Sequence, residues 1–376
     1  MKKQTKKTVF VGMSGGVDSS VSAALLQKQG YDVVGVFIKT WHPDFLACNE
    51  EEERRDAIRV AAHLDIPFLT FDFEDVYKKE VADYMIAEYK MGRTPNPDVM
   101  CNKYVKFGAF LNKAISMGAD YVATGHYAQN LKQSTVSSLV KGVDSSKDQS
   151  YFLWTLKQEQ LSKILFPIGH LKKTEVRKLA KQFKLPVAEK KDSQGICFLG
   201  MVDLKDFLKH YIKEKKGNVE NEKGEVIGWH DGVVFHTLGE RHGFTITKKS
   251  PDDKPYYVIG KDIKKNILYV SQGEKVNNFA AFALGGIGQG THDGLNYSPS
   301  RLVLRDINWI KNIPKENRNY QAQIRYHGEL LPCKINYKIS NAGKAEVIFE
   351  KQILAASGQS VVVYDKDICL GGGVII

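Results

Sequence analysis

Cysteine is scarce in this sequence, with five residues among 376, an odd number without tight clustering. That excludes a disulfide framework. Cys-x-x-Cys does not occur, so neither a zinc site nor an iron–sulfur cluster is expected and no metal ligand set is assigned. No stretch approaches the roughly 18 consecutive apolar residues of a membrane helix, which predicts a soluble protein with no membrane partner. Lys2, Lys3, Lys6 and Lys7 precede an apolar run, but Gly12 and Asp18 cut it short, so no signal-peptide core is expected. A reducing, cytoplasmic setting follows as the expected localisation.

Positive charge, by contrast, is plentiful. The formal net charge is +11. Between Lys141 and Lys216 there are 17 Lys and Arg against 9 Asp and Glu, a concentration suited to a polyanion such as a nucleic acid.

The first half alternates apolar strands with helical segments. Strands are predicted at 9–11, 31–38, 67–73 and 119–126, with helices at 18–29, 50–64, 75–91 and 103–117. This alternation predicts an α/β fold, a Rossmann-like parallel sheet with its ligand beyond the carboxyl ends of the strands. A basic helix is predicted at 205–216, followed by a turn-rich stretch, GNVENEKGEVIG. From Phe279 onward, YQAQIRYH, KAEVIFE and QSVVVYD alternate with the two-residue period of strands. The expected domains are a catalytic domain over 1–205, a small mixed central domain over 206–275 and a C-terminal β-barrel over 276–376.

The segment GMSGGVDSSV, residues 12–21, stands where the first strand passes into the first helix. Glycines there let backbone N–H groups approach an anion, and the helix N-terminus adds partial positive charge. Neither Gly-x-x-x-x-Gly-Lys-Ser/Thr nor Gly-x-Gly-x-x-Gly is present in it, which excludes the usual P-loop and the dinucleotide fingerprint. Ser14 to Ser19 combine hydroxyls, bare amides and the Asp18 carboxylate, a set that suits pyrophosphate with Mg²⁺ nearby. The hexapeptide resembles the loop of the ATP pyrophosphatases, the adenine nucleotide alpha hydrolase-like enzymes that cleave ATP to AMP and pyrophosphate.

Two cysteines narrow the chemistry. Cys101, in GRTPNPDVMCNK, is expected at a helix start beside Lys103, a setting that favours thiolate. The same loop, stiffened by Pro95 and Pro97, is expected to expose Asn96 and Asp98. Cys197, in KKDSQGICFLG, follows a lysine-rich polar loop. Two thiols beside an ATP-cleaving loop suggest transfer of sulfur to an adenylated carbon.

Along nearly its whole length the sequence resembles the tRNA-specific 2-thiouridylase family, through GMSGGVDSSV, GRTPNPDVMCNK, ATGHYA, SSKDQSYFL, FPIGHL, KKDSQGICF, HTLGERHG, RYH, SGQSVV and CLGGG. The resemblance implies a tRNA-uridine 2-sulfurtransferase acting on the wobble uridine of tRNAs for Lys, Glu and Gln, with ATP and Mg²⁺ as cofactors and a cysteine desulfurase or relay protein as sulfur donor. It implies ATP contacts from Gly12, Met13, Ser14, Gly15, Gly16, Val17, Asp18 and Ser19, with Ile38 and Gly125 beside the adenosine. The target base falls to Asn96, Pro97 and Asp98, with Asp98 as an acid/base or positioning group. Cys197 would carry a persulfide and Cys101 would attack it, leaving a transient Cys101–Cys197 disulfide. Contacts to tRNA would come from His126, Lys147, Asp148, Gln149, Arg325, Tyr326 and Gln359. Glu240 departs from the family's frequent Gln, and if that loop touches RNA its added negative charge weakens the resemblance there; Cys48 is a candidate third redox thiol. Two rival classes share single features: an amidating synthetase would share the ATP loop, and a non-catalytic RNA-binding protein would share the basic stretch.

Overall fold

The computed structural model describes residues 6–46, 49–192, 203–248, 250, 253–272, 300–337 and 343–376. Cys48 and Cys197 lie outside the described residues, so the expectations placed on them have no structural account. Three sheets organise the described residues.

The first sheet is parallel. It contains β1 (Thr8–Gly12), β2 (Asp32–Lys39), β3 (Phe68–Asp72), β4 (Tyr121–Ala123) and, further along the chain, β7 (Ile164–Leu165), in the order β3-β2-β1-β4-β7. Val9, Phe10 and Val11 are all buried, as befits a central strand covered on both faces. Helix α1 (Val17–Lys28) and α2 (Glu50–His63) follow β1 and β2. The four glutamates Glu50 to Glu53 in the first turn of α2 suit its dipole, and Ala57, Val60 and Ala61 turn inward at helical spacing. Because β1 is flanked by β2 on one side and β4 on the other, chain direction diverges at their carboxyl ends and opens a crevice there.

Two helices depart from the predicted limits. Residues 74–90 (α3) run as α-helix Glu74–Tyr77, π-helix Lys78–Asp83 and α-helix Tyr84–Lys90. Residues 97–116 (α4) run as Pro97–Met100, a π-helical stretch Cys101–Phe110, and Leu111–Ser116. Helix α4 thus starts six residues earlier than periodicity suggested, because Asn96 caps it and Pro97 takes the first position, where a missing N–H costs nothing.

After β4, the hairpin β5 (Ala128–Gln133) and β6 (Val136–Lys141) leaves the parallel sheet. Short α5 (Gln158–Leu161) and then α6 (Lys173–Gln182) follow. The basic helix expected at 205–216 is shorter, α7 (Leu204–Lys209), capped by Asp203. The stretch read as turn-rich contains two strands, β8 (Gly217–Glu220) and β9 (Val226–His230), which pair as a hairpin. With β10 (Phe244–Ile246), β11 (Tyr256–Asp262) and β12 (Ile267–Gln272) they form a five-stranded sheet around Val219, Ile227, Val258, Leu268 and Val270.

Strands β13 (Arg301–Trp309), β14 (Tyr320–Gln323), β15 (Leu331–Asn336), β16 (Ala345–Phe349), β17 (Ser360–Asp365) and β18 (Ile368–Ile375) close into an antiparallel barrel, sealed by β13 against β18. Leu302, Leu304, Ala322, Ile335, Val347, Val361 and Val363 fill it. The hairpin β5–β6 extends this sheet: β6 meets β18 at Val140 opposite Ile368, and the Lys141 N–H donates to the Asp367 carbonyl at 2.9 Å.

Candidate active site

The crevice between β1 and β4 is lined by glycines for steric reasons. Gly15 adopts φ +70°, and a Cβ on it would lie 2.3 Å from the Glu53 carbonyl oxygen. A Cβ on Gly125, just past β4, would lie 2.7 Å from the Ser19 nitrogen. The two loops are therefore packed backbone to backbone. Gly16 is the N-cap of α1 and supplies no side-chain cap, leaving first-turn amides open to a ligand. The Ser19 hydroxyl bridges the turn, accepting from the Ser14 N–H at 3.3 Å and donating to the Gly16 carbonyl at 3.2 Å. Met13 is buried, its N–H donating to the Val36 carbonyl, and Val17 is buried beside it in the same core cluster. Ile38 is 7% exposed, and together with Phe110 it faces Gly12. All ten residues expected at ATP thus lie on or against this one turn.

Asp18 belongs to an ion-pair network that spacing did not reveal. Its oxygens lie 2.7 and 2.8 Å from Lys173 Nζ, and the Tyr127 hydroxyl donates to it at 2.8 Å. Lys173 also pairs with Asp192 at 2.9 Å; Lys147 reaches Asp192 at 3.1 Å, and Arg177 pairs with the same carboxylate. Burial opposes ionisation of Asp192, but hydrogen bonds from Lys173 and Lys147, with the Lys173 charge, outweigh it and hold its pKa at about 2. Lys190 meets Asp56 of α2 at 2.7 Å. Asp192 and Lys190, shortly before residue 193, are therefore tied to the phosphate loop and to α2. Lys173, Tyr127 and Arg177 were missed in the sequence; FPIGHLKKTEVR carried the available signal, a capped basic helix start, without its partner.

The second wall is helix α4. Asn96 Oδ1 accepts from the Val99 N–H at 3.2 Å; Asn96 and Asp98 are half-buried rather than exposed as expected, and Pro97 between them is half-buried too. Cys101 is placed differently from its expected position. It lies past the first turn, is 0% exposed and packs in a cluster with Val99, Val105 and Phe107, while Lys103 lies over the Tyr104 ring at 4.7 Å. The helix-start setting belongs to Asp98. The Tyr151 side chain hydrogen-bonds Asn96 and donates to the Ser360 carbonyl of the barrel at 3.0 Å.

The residues expected at tRNA divide. Tyr326 packs on Phe152 with centroids 4.4 Å apart, and burial, followed by the negative charges of Asp148 and Asp98, pushes its pKa up to about 12. Arg325 is exposed in a bend and Tyr326 lies in the turn that follows, since β14 ends at Gln323 and the strand read through RYH stops short. Gln359 accepts from the Ala356 N–H at 3.1 Å in the loop whose Ser357 carbonyl receives the Thr94 N–H at 2.8 Å. Three others turn inward. His126 is 6% exposed between Phe107 and Phe166, bonded to Thr124 at 2.8 Å, and burial, aided by Lys106, lowers its pKa well below the usual value. Asp148 accepts from the Gly142 and Ser150 N–H groups, and Gln149 accepts from the Tyr127 N–H at 3.0 Å. These hydrogen bonds brace the loop. The Glu240 carboxylate accepts from the Thr237 N–H at 2.8 Å and meets His236 at 3.2 Å, which holds it within its own loop.

A parallel sheet with a glycine turn at its switch point, an uncapped helix start and a carboxylate in that first turn are the features of a nucleotide-binding α/β domain of the ATP pyrophosphatase type. Comparison with known proteins agrees: residues 7–201 match the profile described as tRNA methyl transferase HUP domain, 205–272 the tRNA methyl transferase PRC-barrel domain, and 300–375 the aminomethyltransferase beta-barrel domain. The chain is 46% identical over 370 residues to the tRNA-specific 2-thiouridylase MnmA of Listeria monocytogenes serotype 4b (strain CLIP80459), covering 98% of this chain and 94% of that one. It is 44% identical over 381 residues to the protein of that name from Bacillus subtilis (strain 168) and 45% identical over 381 residues to that of Streptococcus mutans serotype c, covering 100% of this chain and 96% of each relative. The chain belongs to the tRNA-specific 2-thiouridylase family.

Proposed function

We propose that the protein is an ATP-dependent tRNA-uridine 2-sulfurtransferase acting on the wobble uridine of tRNAs for Lys, Glu and Gln in a reducing cytosol. One observation carries the reading: a single helix, α4, presents Asn96 to Asp98 at its start and Cys101 one turn on, and sets Phe110 against Gly12 of the phosphate loop. A base, a thiol and a nucleotide then share one crevice. The profile descriptions speak of methyl transfer, whereas the loop chemistry and the full-length relatives favour thiolation.

A uracil carbonyl is a poor electrophile because oxide is a poor leaving group. Its 2-oxygen attacks the α-phosphorus of ATP, pyrophosphate departs, and the oxygen becomes part of AMP, a competent leaving group. The first-turn amides of α1 and the Ser14 and Ser19 hydroxyls hold the phosphates. Asp18 and these hydroxyls offer the oxygen ligands that Mg²⁺ prefers, and the ion would add phosphate neutralisation. Asn96 to Asp98 seat the base extruded from the RNA stack. Cys197 carries a persulfide from a cysteine desulfurase or relay protein. The Cys101 thiolate attacks the Cys197 sulfur, forming the Cys101–Cys197 disulfide and expelling hydrosulfide, which adds to C2 as AMP leaves. A thiol reductant restores the pair. The apolar burial of Cys101 keeps water from the activated base.

The test is a mercury-gel shift of an unmodified glutamate-tRNA transcript incubated with protein, Mg²⁺-ATP and sulfide. An ATP-dependent retarded band, absent when the wobble uridine is replaced, is expected, and with a persulfide donor Cys197→Ala loses thiolation. RNA binding with no AMP formed and no retarded band under either donor would overturn the proposal.

A further inference from the structure

The segment leading into Asn96 is gripped from the central sheet region, from the barrel and from helix α3. The Gly92 carbonyl accepts from Lys261 Nζ at 2.8 Å, and the Thr94 hydroxyl bonds that of Thr237 at 3.0 Å, both partners in the central sheet region. The Thr94 N–H donates to Ser357 of the barrel at 2.8 Å. Between these, Arg93 meets Glu88 at 3.0 Å, and the second Glu88 oxygen meets Arg305 of β13, also at 3.0 Å.

Glu88 is the buried member of this triad. Its side chain is 6% exposed, while Arg93 and Arg305 are 37% and 30% exposed. A buried carboxylate shared by two guanidiniums adds little net stability, so its value lies in geometry. Arg305 is aimed at it by a β-bulge: the pairing of β13 with β18 slips between Arg305 and Asn308, and Asp306 takes φ +52°. Bulges re-aim side chains in this way. From Arg93 only Thr94 and the stiff Pro95 separate the clamp from Asn96, so a displacement at Glu88 passes to the cap of α4 with little loss.

We propose that Glu88 is a positioning residue for the Asn96–Asp98 loop, locking it to the barrel through Arg93 and Arg305. The inference rests on the reading that this loop receives the uracil. It makes the seating of the barrel, 217 residues away in sequence, a condition for a correctly shaped base pocket.

The experiment uses the full-length protein with Glu88→Gln and, separately, Arg305→Met, with Arg305→Lys as the conservative partner. Steady-state thiolation is measured over a range of ATP, alongside hydrogen exchange of the amides of residues 94–101. Glu88→Gln is expected to lower kcat about tenfold with KM for ATP unchanged, as a misplaced reactant would, and to raise exchange in 94–101 about tenfold with other regions unaltered. Arg305→Met should reproduce both effects and Arg305→Lys restore part of them. Unchanged kcat and protection would overturn the proposal. So would kcat, KM and protection failing together across all three sheets, the signature of a merely structural ion pair. Should Glu88→Gln not fold, Arg305→Met decides. If wild-type protein does not thiolate, the functional reading falls, and the exchange data still report on the clamp.

Discussion

At the phosphate loop the protein sets charge against charge: Asp18 lies 2.7 Å from Lys173, which in turn holds Asp192 together with Lys147 and Arg177. Around Cys101 the lining is Val99, Val105, Phe107 and Phe110, each 0% exposed. One end of the crevice is lined by paired charges and the other by buried apolar side chains. A polar end can be pre-organised only by pairing every charge, whereas an apolar end is organised by packing. The two should therefore fail in different ways.

Gly15→Val attacks the polar end most directly. With φ +70° and 2.3 Å of room before the Glu53 carbonyl, it should weaken ATP binding by calorimetry at least about 100-fold; near-normal affinity would break the comparison. Phe107→Ala at the apolar end should cost about 3–5 kcal/mol of stability by urea unfolding, while ATP affinity of the folded protein holds. Lys173→Met should do the reverse. It leaves Asp192 with Lys147 and Arg177, and Asp18, 31% exposed, with the Tyr127 hydroxyl, so ATP affinity drops roughly tenfold with a smaller loss of stability than in Phe107→Ala.

Acid should separate the ends by pH window. The lowered pKa of His126, caused by burial and then by Lys106, means that the unfolded chain takes up its proton first. Stability is fully present above the unfolded value of about 6.5 and declines as pH falls below it. Asp192, held at about 2, contributes stability above about 4 that is lost as pH falls through 2. Urea titrations from pH 8 to 2.5 should show both declines, the upper flattened by His126→Phe and the lower by Asp192→Asn; a single window for both variants would contradict the contrast. The smallest effect is a negative one. Burial pushes the Cys333 and Cys369 thiols up to about 12, so iodoacetamide at pH 8 should leave both unlabelled by mass spectrometry in the native protein.

Local signals made much of this legible. Val9 to Val11, the glycine turn and the apolar faces of α1 and α2 are written in consecutive residues, and Gly15 and Gly125 proved to be glycines because backbone passes close by. The two cysteine-bearing segments were visible as motifs, yet the depth of Cys101 was not, because a helix beginning at Pro97 rather than Lys103 changes which residues turn inward. The Asp18 network was hidden for another reason: Tyr127 and Lys173 are 109 and 155 positions away, and no periodicity links them. The resemblance alone assigned His126 and Asp148 to tRNA; that His126 is bonded to Thr124 and Asp148 holds two backbone amides is decided by the fold.

The hairpin β5–β6 has a consequence for how the chain is made. Its outer edge is completed by β18, and the barrel that presents β18 is closed by β13. A ribosome delivers β6 long before it delivers β18, so a nascent N-terminal module carries an open strand edge throughout the synthesis of the central sheet and most of the barrel. Such an edge invites capture by chaperones or mispairing with neighbouring chains. Separately expressed modules would inherit the same exposed edge, and the order of translation thus becomes part of what the architecture has to survive.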